Sequence, residues 1–521
     1  MKELNFEELT TRQKLGMVYT AILHGEISED DEKFVLELIK DHSLGAVWIQ
    51  QGYENTIPML KKVREIADYP ILIITDGESG VGKYRVGKHN AVGTTGSEKS
   101  AYIFGKTMGV AAREMGYNVV CNPVVDLKDG SMRCYGTDAD KVTELAISQV
   151  RGMHDGGVLC VAKHYPGGND VGDMDSHMAE SVSDDTRESL FETHLKPYLG
   201  LNGEGLLDGI MVGHKKFINI DDKYPASLSK KVIDIIRDEG YAGIIITDAL
   251  SMMSIKAMYG EMESKGLSVS AGVDLLLPYA RPNMEQFGQC VEAYEKGLIS
   301  DECLNEAVKR VLIAQHKVTL LPVDTELSDD DIEEFQSINK NGVYTRTDKD
   351  IPHTISRDGK HYFVIVSKQE LSFENEKVDV DTFSNEGWFQ PARIVKKINE
   401  LFPNADYKII HEFPSQLEMK RTLYDTLDCD KLVFITFSEM KAFCGREHLT
   451  RRLENLIEAM QITGRISSLI HLGNPHVLKN LPHIPNVIFG GQSTESVDAT
   501  LEVLAGEYPA KGTATYDFKL K

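Results

Sequence analysis

Short apolar runs alternate with longer amphipathic segments over the first 320 or so residues of this chain, and that alternation restricts the fold more than any other feature. The runs lie at residues 45–49, 71–75, 118–122, 158–162, 209–213, 244–247 and 273–277, and they are rich in Val, Ile and Leu. Runs this short, apolar throughout, suit strands of a parallel sheet covered on both faces. Between them lie helical patterns such as Lys231 to Arg237, where Val232, Ile233, Ile235 and Ile236 recur at helical spacing. The alternation predicts an α/β fold, an N-terminal (β/α)8-like TIM barrel. Seven strand candidates are legible, and the eighth that closure requires is not. Residues from about 320 to 355 are polar and acidic, including Leu327-Ser328-Asp329-Asp330-Asp331. A second βα series follows at 362–366, 407–410, 432–436, 468–472 and 487–489. The expected organisation is a barrel over 1–325, a linker over 326–355 and a smaller C-terminal α/β sandwich domain over 356–521.

Composition removes several classes of function. A net charge of −23 excludes nucleic acid as a partner, because neutralising phosphates needs clustered Lys and Arg. The seven cysteines are dispersed without a C-x-x-C pair, so neither a zinc ribbon nor a disulfide framework is expected. No apolar run is long enough to cross a bilayer and residues 1–8 have no leader-like core, so no membrane partner and a cytoplasmic setting are expected. Gly473 and the Gly490-Gly491 pair make turns rather than a G-x-G-x-x-G motif, and no cofactor is expected.

Chemistry concentrates where apolar runs end. Lys163-His164-Tyr165-Pro166-Gly167-Gly168 leaves the 158–162 run, and Asp175-Ser176-His177 follows in a glycine-bearing loop. In barrel folds the C-terminal ends of strands carry the reacting groups. Asp175 beside His177 can fix the tautomer of the imidazole and make it a proton donor and acceptor near neutral pH; a solvated surface loop is the plain alternative. Asp248 ends the 244–247 run, either facing the barrel mouth or capping the next helix. Asp76 and Glu78 end the 71–75 run with Arg85 nearby, suited to hydrogen-bonding sugar hydroxyls or to making a glycine turn. His214 also follows a strand candidate and suits pocket lining, whereas Arg133 alone is uninformative. His164, Asp170, Asp173, Asp175 and His177 are possible metal ligands, but no H-E-x-x-H is present and Lys163 adds a cation beside them, so no metal is expected.

Taken in order, these motifs resemble family 3 glycoside hydrolases, in particular the bacterial β-N-acetylglucosaminidase branch. The matching segments are Asp76-Gly77-Glu78-Ser79-Gly80, Asn122-Pro123-Val124-Val125-Asp126, Arg133-Cys134-Tyr135-Gly136-Thr137-Asp138, Lys163-His164-Tyr165-Pro166-Gly167 and Asp175-Ser176-His177. Met211-Val212-Gly213-His214, Pro225-Ala226-Ser227-Leu228-Ser229, residues 243–252 around Asp248, and Ala271-Gly272-Val273-Asp274 complete the series. Two departures stand out. Gly168 replaces a second histidine of the usual loop, and Asp-Gly-Glu-Ser replaces Asp-Gln-Glu-Gly.

The resemblance implies a retaining exo-β-N-acetylglucosaminidase (a β-N-acetylhexosaminidase) that removes terminal β-linked GlcNAc from muropeptides or chitooligosaccharides. It implies Asp248 as nucleophile, His177 with Asp175 as acid/base dyad, and Asp76, Arg133, Lys163 and His164 as sugar ligands, with Arg85 a displaced match. The partner is then a carbohydrate, and a role in cell-wall recycling follows from the muropeptide substrate. The alternatives are a β-N-acetylglucosaminide phosphorylase, a β-glucosidase or β-xylosidase, and a non-catalytic sugar-binding protein, which intact Asp248, Asp175 and His177 disfavour.

Overall fold

The computed structural model describes residues 2–128, 130–171, 178–323, 325–367, 387–439 and 447–516. The chain divides into two compact units. One comprises Met1–Arg85, Ser97–Lys128 and Thr137–Phe335; the other comprises Val86–Gly96, Asp129–Gly136 and Gln336–Lys521.

In the first unit seven strands, among the described residues, follow chain order around one parallel sheet. They are β1 (Thr20–Ile22), β2 (Ala46–Trp48), β3 (Leu72–Asp76), β4 (Val119–Cys121), β5 (Leu159–Tyr165), β6 (Gly209–Val212) and β7 (Ile244–Thr247). Residues 275–276 complete the circle, because Ile246 bridges to Leu275 on one side and Tyr19 to Leu276 on the other, both in parallel. The Thr20 N–H donates to Leu276 at 3.0 Å and the Leu276 N–H to Val18 at 2.8 Å. The barrel therefore has its eighth position, and the strand that could not be read from the sequence is β1. It is three residues long and lies in an unbroken buried stretch, 15–24, that begins within the helix Thr11–Met17. With no turn residue to separate the two, its apolar run has no boundary of its own.

Side chains alternate along a strand, so one set fills the barrel. That set includes Ala46 and Trp48, Leu72 and Ile74, Val119 and Cys121, Leu159 and Val161, Ile244 and Ile246, and Leu275 and Leu277. The long helix Asp301–Leu320 adds Val311, Ala314 and Val318 to the same core. Asp274 is fully buried just before the closing segment. It accepts from Arg237 Nη2 and Arg310 Nε, each at 2.7 Å, and from the Ile245 N–H at 2.8 Å. A carboxylate that deep is tolerable only with its lone pairs filled this way.

Among the described residues the second unit is built on a six-stranded mixed sheet. Its strands are β8 (Tyr344–Thr347), β9 (His361–Ser367), β10 (Asp406–His411), β11 (Lys431–Phe437), β12 (Ile466–Leu472) and β13 (Asn486–Gly490). The order is β8-β13-β12-β11-β9-β10, parallel except for β8 against β13. Val364, Leu432 and Phe434 pack into one core cluster while Phe363, Val433 and Ile435 pack into another, so the period-two pattern sends apolar side chains to both faces. All five expected strands of this series are present. The stretch expected as a linker, 326–355, carries the helix Asp329–Asn341 and the strand β8.

Candidate active site

The alternation that fills the barrel also equips its mouth. One step of two beyond Ile74, Val161 and Ile246 stand Asp76, Lys163 and Asp248, so the same faces of β3, β5 and β7 that bury apolar side chains end in charge. Lys163 is 2% exposed. Its Nζ lies 2.7 Å from Asp76 Oδ1 and 2.8 Å from Glu78 Oε1, which makes the burial of an ammonium tolerable. Asp76 and Glu78 are brought to the same cation because the chain turns back after β3 in a short hairpin, Gly80–Val81 against Tyr84–Arg85.

Asp248 is tied in from both sides. Its N–H donates to the Val212 carbonyl at 2.9 Å, and its Oδ1 accepts the Ala249 N–H at 2.7 Å. The next helix begins at Met253 with Met252 at its N-cap, so Asp248 is not that helix's cap. Burial works against charge on this carboxyl. The nearby His164 and His214 rings, the Ala249 N–H and Lys163 outweigh it and hold the group below its ordinary value. His214 is 3% exposed, with Nδ1 2.7 Å from Ser227 Oγ and Nε2 3.0 Å from the Ala249 carbonyl. A carbonyl accepts only, so Nε2 carries the proton and the ring braces the backbone immediately after Asp248.

His164 is held by Asp126, a residue whose part the motif pattern did not reveal. Asp126 Oδ1 accepts the His164 N–H at 3.1 Å and Oδ2 faces Nδ1 at 2.8 Å. Although burial opposes ionisation, the His164 ring, these two hydrogen bonds and Lys215 bring Asp126 down to about 2. An ionised carboxylate accepts only, so the Nδ1 proton is fixed and the ring's orientation with it. The clue available in the sequence was position: Asp126 closes the segment after β4, as Asp76 and Asp248 close theirs.

Beyond β5 the loop is anchored by charge. Asp170 pairs with Lys215 at 2.8 Å and Lys128 at 2.9 Å, so it serves lysines rather than a metal. Asp185 accepts the Asn169 N–H at 2.6 Å and the Ser183 hydroxyl at 2.8 Å. Gly168 has φ +89°, and a Cβ there would stand 2.5 Å from the Phe217 ring. No side chain fits, which accounts for glycine where the related loop has a second histidine. Asp173, Asp175 and His177 lie outside the described residues. Arg85 is exposed on the hairpin strand and has no ion-pair partner among the described residues. Arg133 belongs to the second unit, its N–H donating to Ser131 Oγ. The structure thus brings Asp76, Lys163, His164, His214 and Asp248 to one barrel mouth and adds Glu78, Asp126 and Ser227.

The model of the glycosyl hydrolase family 3 N-terminal domain matches residues 10–314. The β-hexosaminidase of Idiomarina loihiensis is 32% identical over 242 residues, covering 43% of this chain and 72% of that protein. That of Tolumonas auensis is 30% identical over 234 residues, 42% of this chain and 69% of that one. In fold, the chain is similar to a glycoside hydrolase family 3 β-N-acetylglucosaminidase from Paenibacillus sp. str. FPU-7. The TM-score is 0.79, and 98% of this chain and 100% of that one are covered at 24% identity. With the family's domain spanning more than half of its length and carboxylates gathered at the barrel mouth, the chain belongs to glycosyl hydrolase family 3 and is a glycoside hydrolase.

Proposed function

We propose that the protein is a retaining exo-β-N-acetylglucosaminidase acting on terminal β-linked GlcNAc of muropeptides or chitooligosaccharides, with a covalent glycosyl-enzyme on Asp248. The observation that carries this reading is the state of Asp248: a half-buried carboxylate at a strand end, held below its ordinary value by its neighbours, with the Ala249 N–H on its Oδ1 and its own N–H on the Val212 carbonyl. Such a group is poised to attack an anomeric carbon. Lys163, Asp76 and His164 present donors and acceptors from β3 and β5, the chemistry that holds a sugar by its hydroxyls. His177, oriented by Asp175, protonates the leaving oxygen and then takes the proton of the incoming water. Arg85 completes the set of barrel-unit sugar ligands that this reading assigns. The sugar assignment draws its support from the hexosaminidase relatives. The dispersed cysteines, with no C-x-x-C pair, suit the reducing cytoplasm in which muropeptides would be recycled.

The test is turnover of p-nitrophenyl glycosides of GlcNAc, Glc, Xyl and GalNAc, with and without phosphate. The reading expects GlcNAc to be preferred and free sugar to be released. A sugar 1-phosphate would make the enzyme a phosphorylase, and preference for Glc or Xyl would overturn the sugar. Asp248→Ala is expected to remove turnover while leaving the fold intact; retained activity refutes its role as nucleophile.

A further inference from the structure

The inward register that yields Asp76, Lys163 and Asp248 also runs along β1 and the closing segment. Two residues beyond Ile22 stands His24, and two beyond Leu277 stands Tyr279. One arc of the mouth is therefore charged, and the adjoining arc, where the barrel closes, is neutral and aromatic. His24 and Tyr279 have ring centroids 5.7 Å apart, His24 and Tyr53 4.9 Å, and Trp48 meets Tyr279 edge to face at 6.3 Å.

Three features set this cluster apart from ordinary packing. Tyr279 has φ +49°, a left-handed conformation that is unfavourable for a bulky side chain and concentrates at functional positions. The loop that imposes it is tied down. Asn283 bonds the Ile22 N–H at 2.8 Å and the Ile22 carbonyl at 3.0 Å, while the Arg281 guanidinium reaches the His24 and Glu26 carbonyls. Secondly, Tyr279 and Tyr53 remain 38% and 47% exposed, although buried rings lie directly behind them. Thirdly, the polar atoms are arranged for a neutral ligand. Burial lowers His24 to about 4, so its ring is uncharged at neutral pH. Its Nδ1 lies 3.2 Å from the Gln50 N–H and 3.4 Å from the Trp48 carbonyl, and its Nε2 lies 3.4 Å from the Tyr279 hydroxyl. Beneath it the buried Trp48 Nε1–H has no acceptor among the described residues, a donor awaiting one.

A pyranose has polar edges and an apolar C–H face, and a charged arc joined to an aromatic arc offers both surfaces. We propose that Tyr279, backed by His24 and flanked by Tyr53, forms a stacking wall that receives the saccharide ring held over Asp248. The placement rests on the reading of Asp248 as nucleophile. The Asp76 charge is felt at the Tyr279 phenol, which burial first, then Tyr53 and Asp76, push above its ordinary value, so the wall and the charged arc adjoin.

The test uses Tyr279→Gly, Tyr279→Phe and the wild type on the panel of aryl glycosides, scored on whichever sugar the wild type prefers. Glycine suits φ +49°, so the melting temperature is expected to hold or rise in Tyr279→Gly while kcat/KM falls about tenfold or more, as expected for losing a stacked aromatic. Tyr279→Phe keeps the stack and should fall only about threefold. A kcat/KM within twofold of wild type in Tyr279→Gly overturns the wall, whichever sugar is preferred. A wild type that prefers a sugar other than GlcNAc overturns the substrate assignment alone. Should no aryl glycoside turn over, titration of the free monosaccharides in a Trp388→Phe background reads the wall through Trp48, the remaining tryptophan of two. Quenching weakened about tenfold by Tyr279→Gly supports it, and quenching unchanged by Tyr279→Gly, or absent, refutes it.

Discussion

Replacing Asp126 by Asn separates its charge from its shape. Asp126 accepts the His164 N–H and Nδ1–H on separate oxygens, at 3.1 and 2.8 Å, so the amide keeps an acceptor for one of the two while losing the charge. Burial disfavours the Asp126 charge, yet His164 and its hydrogen bonds, with Lys215, bring the group from 3.8 to about 2. A folded value below the unfolded one means that the carboxylate stabilises the fold above the unfolded value. The contribution disappears as pH falls through the folded value. At about 1.4 kcal/mol per unit, the difference is worth on the order of 2.5 kcal/mol at neutral pH, and roughly half of it is gone by pH 3. Urea denaturation of both proteins from pH 7 to pH 3 measures this directly. Asp126→Asn should be less stable by about 2 kcal/mol at pH 7, with the gap narrowing by about 1 kcal/mol by pH 3. A gap that stays constant, or widens as pH falls, refutes the argument that His164 holds this carboxylate ionised. Since His164 also loses its fixed partner, kcat/KM should drop together with stability at pH 7.

Asp274→Ala strips Arg237 and Arg310 of their shared buried carboxylate and should cost about 3–5 kcal/mol, seen as a lowered urea midpoint in the barrel unit; a loss under about 1 kcal/mol would mean that the network is solvent-screened. Gly168→Ala brings a Cβ to 2.5 Å from Phe217 at φ +89°, so about 1–3 kcal/mol of stability should be lost, with activity falling alongside; an unchanged melting curve would show that the loop relaxes freely. His177→Ala should spare activated aryl leaving groups more than natural oligosaccharides, measured as the ratio of the two kcat/KM values, because the former need less protonation. Equal losses on both would argue against proton donation by His177.

Much of the molecule was legible because the signals were local. Period-two burial places Asp76, Lys163 and Asp248 one step beyond an apolar strand, and that step needs no knowledge of the neighbouring strands. The strands β9, β11, β12 and β13 were legible for the same reason, each an apolar run long enough to stand alone, and β10 by its Ile409-Ile410 pair. Three-residue β1 was not, since its ends are marked only by pairing with β2 and with Leu276. Nor were the helix and strand within 326–355, where an acidic surface hides an amphipathic pattern and β8 gains its identity from an antiparallel partner more than a hundred residues away.

What the sequence determined on its own was therefore which side chains leave a strand toward the mouth. Which of them meet was decided by tertiary structure. Lys163 finds Asp76 across 87 residues, His164 finds Asp126 across 38, and Tyr279 reaches His24 across 255 only because the barrel closes between its first and last strands. Alternation is a property of one strand, whereas an ion pair or an aromatic wall depends on the register between strands. That register is set by closure of the whole sheet.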